Sequence, residues 1–189
     1  MTTSDHDSPR CTAFLAASLD GYIAGPGDDL AFLERAELEG EDYGYAELMR
    51  QADVMVLGRR TYEVALGFEA WPYVGKRCVV LSRTPRAPRH DEEIVSATPE
   101  ALVARLGSEG ARHLYVDGGG LVRSFLRAGL LHELVLSVVP VVLGAGVRLW
   151  CEGGPEVPLR LESTRAWSSG LVQLRYAVEQ AGPREVPPR

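Results

Sequence analysis

Three consecutive glycines, Gly118, Gly119 and Gly120, stand between an apolar run, Leu114-Tyr115-Val116, and a helical pattern of Leu121, Val122, Phe125 and Leu126. Glycine has no Cβ, so its backbone takes unusual angles and lets a ligand approach closely. A strand that turns through glycines into a helix leaves the helix's first N–H groups unpartnered. Such a terminus binds anions, phosphate above all. The run is not the GxGxxG of dinucleotide folds, because Arg123 stands where the last glycine would be. A tight strand-to-helix turn that holds no ligand would carry the same residues.

Three further loops hold residues of matching chemistry: Ser18 to Ala24, Gly58-Arg59-Arg60-Thr61, and Ser82-Arg83. Arg59, Arg60 and Arg83 are cationic, and Thr61 and Ser82 donate hydrogen bonds. Each loop follows an apolar run, and ligands collect at the C-terminal ends of parallel strands. Brought to one edge, these residues suit a ligand with several phosphates.

The elements that must position them follow from pattern. Cys11 to Ser18, Val54 to Leu57, Cys78 to Leu81 and Leu114 to Val116 are short apolar runs that read as buried strands. Asp20-Gly21 is a turn signal and Gly25-Pro26-Gly27 a loop. Asp28 or Asp29 caps a helix whose apolar side is Leu30, Phe32 and Leu33. Helical patterns follow at Glu41 to Gln51, Thr61 to Leu66 and Pro99 to Leu106, the last with proline in its first turn. Residues 85–98 form a polar loop with an edge strand at Ile94-Val95. Leu134 to Leu143 is the most β-branched run, and Pro140 inside it argues for an edge or a bulge. Leu159 to Ala166 and Leu171 to Glu179 alternate and form a hairpin through Ser168-Ser169-Gly170. Strands alternate with helices up to about residue 127, then strands follow strands. This order predicts an α/β domain with a mostly parallel sheet and antiparallel strands added late.

Length and composition bound the rest. A chain of 189 residues favours one domain, and 46% hydrophobic residues can build a core. We expect residues 1–10 to be a disordered lead, 11–180 the domain and 181–189 a disordered tail. A net charge of −6 argues against nucleic acid, and no stretch reaches the roughly 20 apolar residues of a membrane span. The N-terminus lacks the apolar core of a signal peptide, and Cys11, Cys78 and Cys151 read as reduced core thiols, which fits a cytoplasmic protein. The four histidines show no metal-ligand spacing, so no metal is expected.

The motifs, taken together, resemble the dihydrofolate reductase superfamily, and more closely its bacterial branch that includes the riboflavin-pathway pyrimidine reductase domain. The resemblance covers about residues 11 to 178. It rests on Ala16 to Ala24, Leu57-Gly58-Arg59-Arg60-Thr61-Tyr62-Glu63, Val79 to Arg83, Val116 to Gly120 and Pro140 to Gly144, five motifs in the family's order. It implies a three-layer fold and hydride transfer from NADPH. Gly58, Arg59 and Thr61 match the turn that holds the cofactor phosphates. Ser82 and Arg83 match the site of the adenosine 2′-phosphate, where a cation prefers NADPH to NADH. Gly118 and Gly119 match the family's cis Gly–Gly bond, with Gly120, Leu121 and Val122 following at the cofactor. Ala16 and Ile23 match residues that line the nicotinamide.

Asp29 resembles the catalytic carboxylate of dihydrofolate reductase, and Ser137 the hydroxyl that helps to hold the pterin. Capping a helix explains Asp29 equally well, and Asp28 fits either role; Asp20 reads as structural. Lys76 stands where the family clamps the folate glutamate with arginine, and lysine is a poorer carboxylate fork. Asp117 replaces an apolar residue that packs on folate; the pyrimidine reductases have an acid there, reaching toward the substrate ribose. The loop from Asp20 to Asp29 is short for a folate reductase, and no cluster for a substrate 5′-phosphate is visible. The expectation is an NADPH-dependent reductase of a C=N or C=O bond in a small heterocyclic or sugar-derived substrate. The alternatives are the pyrimidine reductase of riboflavin synthesis and an NADPH-binding protein without turnover. The valine-rich run Leu134 to Leu143 fits a homodimer built by strand pairing, and a buried central strand explains the same residues.

Overall fold

A computed structural model describes residues 8–179 of the chain. Its first strand, β1 (Arg10–Ser18), runs through the sheet interior, with alternating apolar residues such as Cys11, Ala13 and Leu15 buried. A short strand β2 (Tyr22–Ala24), two 3-10 turns and helix α1 (Tyr45–Gln51) follow. Then come β3 (Val54–Gly58), α2 (Arg59–Ala65), β4 (Arg77–Leu81), β5 (Glu93–Val95), α3 (Pro99–Ser108), β6 (His113–Asp117) and α4 (Gly119–Arg127). The chain closes with β7 (Glu133–Val139), β8 (Val147–Arg148), β9 (Leu159–Ala166) and β10 (Val172–Val178).

Eight strands form one sheet in the order β5-β4-β3-β6-β1-β7-β10-β9. The pairs from β5 to β7 are parallel, and β10 joins β7 and β9 antiparallel. A strand sends successive side chains to opposite faces. Val54 and Val56 therefore join Leu102, Leu106, Val122 and Phe125 in a core beneath α3 and α4. Met55 and Leu57 join Leu48, Tyr62 and Ala65 beneath α1 and α2. That division makes three layers.

Several expectations need correction. Arg10 is not part of a disordered lead: it opens β1 and its guanidinium pairs with Glu133 at 2.9 Å. Residues 1–7 and the tail from 180 lie outside the described residues. The strand in Leu134–Leu143 stops at Val139, because Pro140 has no N–H to offer the ladder. β7 is paired on both sides, by β1 and β10, so its valines are not free to pair with another subunit. The helix expected from Glu41 starts at Tyr45, since Asp42 accepts from the Gly44 and Ala46 N–H groups and makes a capping turn. Cys11 and Cys78 are buried thiols, but Cys151 is exposed. β2 and β8 pair with each other, where Ser18 to Ala24 reads from sequence only as a loop and 147–148 carries no expected element. Strands of two and three residues are too short to show a period. Among the described residues no helix is long and apolar enough to cross a membrane.

Candidate active site

The parallel strands end together, and a cleft of about 770 Å³ opens along their C-terminal edge. Its size suits a small-molecule site. β6 delivers Asp117 and Gly118 to the centre. Gly118 takes φ +109°, and a Cβ there would overlap the Thr61 hydroxyl. The turn thus brings the start of α4 against the start of α2. The Gly118–Gly119 peptide is trans, as are all peptide bonds among the described residues. The expected cis bond is absent: the positive φ of Gly118 makes the close approach instead. Neither α2 nor α4 has an acidic residue in its first turn to compete for an anion.

Gly58, Arg59 and Thr61 reach the cleft from the end of β3, Ser82 and Arg83 from the end of β4, and Ala16 and Ile23 from β1 and β2. Gly118, Gly119, Gly120, Leu121 and Asp117 line it as well. Their charges are not equivalent. Arg59 donates to Glu63 at 2.9 and 3.0 Å, and Arg60 to Asp28 at 2.6 Å. Arg83 has no carboxylate partner among the described residues, so its guanidinium is open to an anion. The Ser82 hydroxyl donates to Thr84 O at 2.9 Å and accepts from Thr84 N at 3.2 Å, which shapes the turn that presents Arg83.

Four expected site residues do not line this cleft. Asp29 is exposed, and its Oδ1 accepts from Ala31 N at 2.9 Å. That is the capping role, while the neighbouring Asp28, at φ +66°, faces the cleft and pairs with Arg60. Ser137 is buried in β7 and accepts from Gln173 Nε2 at 3.1 Å. Lys76 precedes β4 and so lies at the opposite, N-terminal end of the sheet, where its Nζ donates to Ala52 O at 3.0 Å. Val122 is wholly buried in the core under α4.

Two carboxylates line the cleft, Asp28 paired with Arg60 and Asp117 with no cation partner among the described residues. Burial pushes the Asp117 pKa up to about 6, against the opposing hydrogen bonds from the Tyr73 hydroxyl, the Gly118 N–H and Tyr115. Tyr73 OH donates to Asp117 Oδ2 at 3.1 Å. Sequence reasoning missed Tyr73. Its signal was the aromatic pair around proline in Trp71-Pro72-Tyr73. Trp71 stacks on His90 with centroids 4.6 Å apart and meets Tyr62 and Tyr73 edge-on, which fixes the Tyr73 ring. Phe14, Leu30, Leu33 and Phe68 supply apolar wall, and none of them has a place in the site expected from sequence. Thr12 pairs with Tyr115, so Phe14 lies two residues further on, level with Asp117. Asp20, read as structural, accepts from Ser18 Oγ, Leu143 N and Gly144 N. Those bonds, the Ser18 one foremost, hold its pKa down at about 2.

Comparison with known proteins agrees with this architecture. A family model described as the RibD C-terminal domain matches residues 9–173. The uncharacterized protein YwjB of Bacillus subtilis (strain 168) is 35% identical over 171 residues, 88% of this chain and 97% of that protein. The crystal structure of a putative riboflavin biosynthesis protein from Shewanella sp. PV-4 superposes with a TM-score of 0.84 at 31% identity, covering 90% of this chain and 99% of that one. Dihydrofolate reductase from Enterococcus faecalis, complexed with NADP(H) and RAB-propyl, superposes with a TM-score of 0.63 at 16% identity, covering 89% and 96%. The fold is therefore dihydrofolate reductase-like.

Proposed function

Because the chain belongs to the RibD C-terminal domain family, we propose that it is a reductase that uses NADPH to reduce a C=N or C=O bond of a small heterocyclic or sugar-derived substrate. The observation that carries the cofactor is Arg83. It is a guanidinium without a carboxylate partner among the described residues, and it shares one cleft with the Gly118–Gly120 turn. The residues fit a nucleotide with phosphates at two places. The first N–H groups of α4 and the Thr61 hydroxyl face one, and Arg83 faces the other, where an added 2′-phosphate would meet it. When bound, NADPH supplies a hydride to the carbon of the substrate double bond.

The chain's own residues do the remainder. Hydride addition leaves nitrogen or oxygen in need of a proton. Asp117 is the group placed to hold one, since its pKa of about 6 keeps it protonated far more often than a solvated carboxyl. Tyr73 orients the carboxyl through Oδ2. Ala16 and Ile23 form an apolar wall that keeps water from the reacting atoms.

The test is cofactor affinity. Titration of protein fluorescence with NADPH and NADH should show a preference for NADPH, and Arg83→Ala should abolish that preference. A protein that binds neither coenzyme would remove the reading. A second reading, a step of riboflavin synthesis, draws on the likeness to the Shewanella protein. It predicts turnover of a ribosylaminopyrimidine phosphate.

A further inference from the structure

We propose that a second cavity, between α4 and the loop joining β8 to β9, is a binding site for a small amphiphile with an apolar body and a carboxylate head.

The cavity follows from where the helical layer stops. α4 is the last helix described, and it packs on β3 and β6. β10 and β9 carry the sheet beyond it. Leu134 of β7, in the core beneath α4, stands beside Tyr176 of β10, which in turn stands beside Leu161 of β9. Loop residues 150–157 lie against this face, and with α4 they border a groove of about 390 Å³. Volumes of that order hold small molecules. The groove shares no lining residue with the cleft at the strand tips. Its floor, Leu134, is the second residue of β7 and so lies at the opposite end of the parallel strands.

The lining is amphiphilic. Leu126, Trp150, Val157 and Leu159 form the walls. Trp150 and Leu159 are 41% and 39% exposed, so the chain itself does not close them off. Large apolar groups left open together mark a binding surface. The charged groups are Arg123, Arg127 and Glu152, which makes the groove locally positive on a chain of net charge −6. Arg123 is committed: its Nη1 donates to Arg148 O at 3.1 Å and Leu149 O at 2.7 Å, holding the start of the loop. Arg127, one turn further along α4, is exposed and has no carboxylate partner among the described residues. A guanidinium matches a carboxylate with two parallel hydrogen bonds. The apolar body of the ligand leaves water against the leucines and the indole.

Octanoate and octylammonium have one chain length and opposite charges. Each would be titrated calorimetrically into the full chain at pH 8, with tryptophan emission read alongside. Octanoate should bind at least about tenfold tighter than octylammonium. Arg127→Ala, a change at an exposed side chain that leaves the fold intact, should weaken octanoate about tenfold. Arg83→Ala, in the other cleft, should leave octanoate affinity unchanged, so the result stands apart from the reductase reading. Octanoate should alter the emission of the wild type and not that of Trp150→Phe. Equal affinity for the two probes would overturn the proposal, as would no binding of octanoate at millimolar concentration. So would binding that Arg83→Ala abolishes or Arg127→Ala leaves intact, and so would emission that octanoate leaves unchanged in the wild type or alters equally in Trp150→Phe. Sedimentation tests the other occupant, a second copy of the chain: a dimer that Leu159→Arg disperses, with octanoate unbound, would also overturn it.

Discussion

The Tyr73 hydroxyl donates to Asp117 Oδ2 at 3.1 Å, joining a loop after α2 to the last residue of β6 at the wall of the cleft. Tyr73 is buried, and loss of solvent together with the neighbouring Asp117 charge holds its own proton well above the usual phenol range. The tyrosine therefore donates at every working pH, and the carboxyl is the partner that titrates.

Turnover should follow that titration. Asp117, with its pKa of about 6, is about one-tenth protonated at pH 7. Reduction that needs this proton should speed up as pH falls from 8 toward 6 and level off below. The titratable groups facing it are Tyr73, Tyr115 and Tyr45, with Cys78 beside them. Desolvation pushes Tyr45 up to about 12 and Cys78 up to about 11, and holds Tyr115 well above 10, so none titrates in this window. Asp117→Asn should flatten the pH profile and lower kcat about 100-fold or more.

The same shift has a stability consequence. A carboxyl whose folded pKa is raised binds its proton more tightly in the native state. Its contribution is complete below the unfolded pKa and is lost as pH rises through about 6. Asp117→Asn should thus stabilise the fold at pH 8, by on the order of 3 kcal/mol, and have little effect at pH 4. Thermal unfolding of both proteins at the two pH values measures this.

Asp20 should behave in the opposite sense. Its pKa is lowered to about 2, first by Ser18 and then by the Leu143 and Gly144 N–H groups. The stability it confers is present above the unfolded value near 4 and disappears as pH falls toward 2. Urea unfolding from pH 5 to pH 2 should show a steeper loss for the wild type than for Asp20→Ala.

Two glycines should separate folding from cofactor binding. Gly118→Ala combines a φ of +109° with overlap on Thr61 and should destabilise the fold by about 1–3 kcal/mol. Gly120 lies in α4, and a Cβ there would meet only Arg123 Nη2 at 3.9 Å. Gly120→Ala should raise stability by about 0.5–1 kcal/mol. It should nevertheless weaken NADPH binding if the cofactor phosphates contact this helix start, so melting and titration would move in opposite directions.

Arg83→Ala should cost NADPH about 1.5–3 kcal/mol of binding, the worth of a hydrogen bond to a charged group, and leave NADH nearly unchanged. Fluorescence titration of both coenzymes reads the difference.

The parallel core was legible because buried strands have a simple signature. Val54 to Leu57 is apolar at every position because both faces are covered, and the glycine run marks a turn because Gly118 takes a path that few other residues can. The positions of Arg83 and Thr61 follow from these, since residues at strand ends inherit the edge where the strands stop. Asp29 and Lys76 show the limit. One residue separates Asp29 from Asp28, and the local sequence carries no sign of which carboxylate turns inward. That depends on the φ of +66° at Asp28 and on the reach of Arg60 from another element. Lys76 lies at the wrong end of the sheet only because β4 runs in the direction it does.

The sequence by itself determined the strand-helix order, the layers and the edge where the glycine turn and the cationic strand ends gather, because period, glycine and charge at strand ends are local properties of the chain. Only the tertiary structure decided which acids reach the cleft. The pKa of Asp117 depends on burial and on tyrosines that arrive from β6 and the loop after α2, and no local pattern records that convergence.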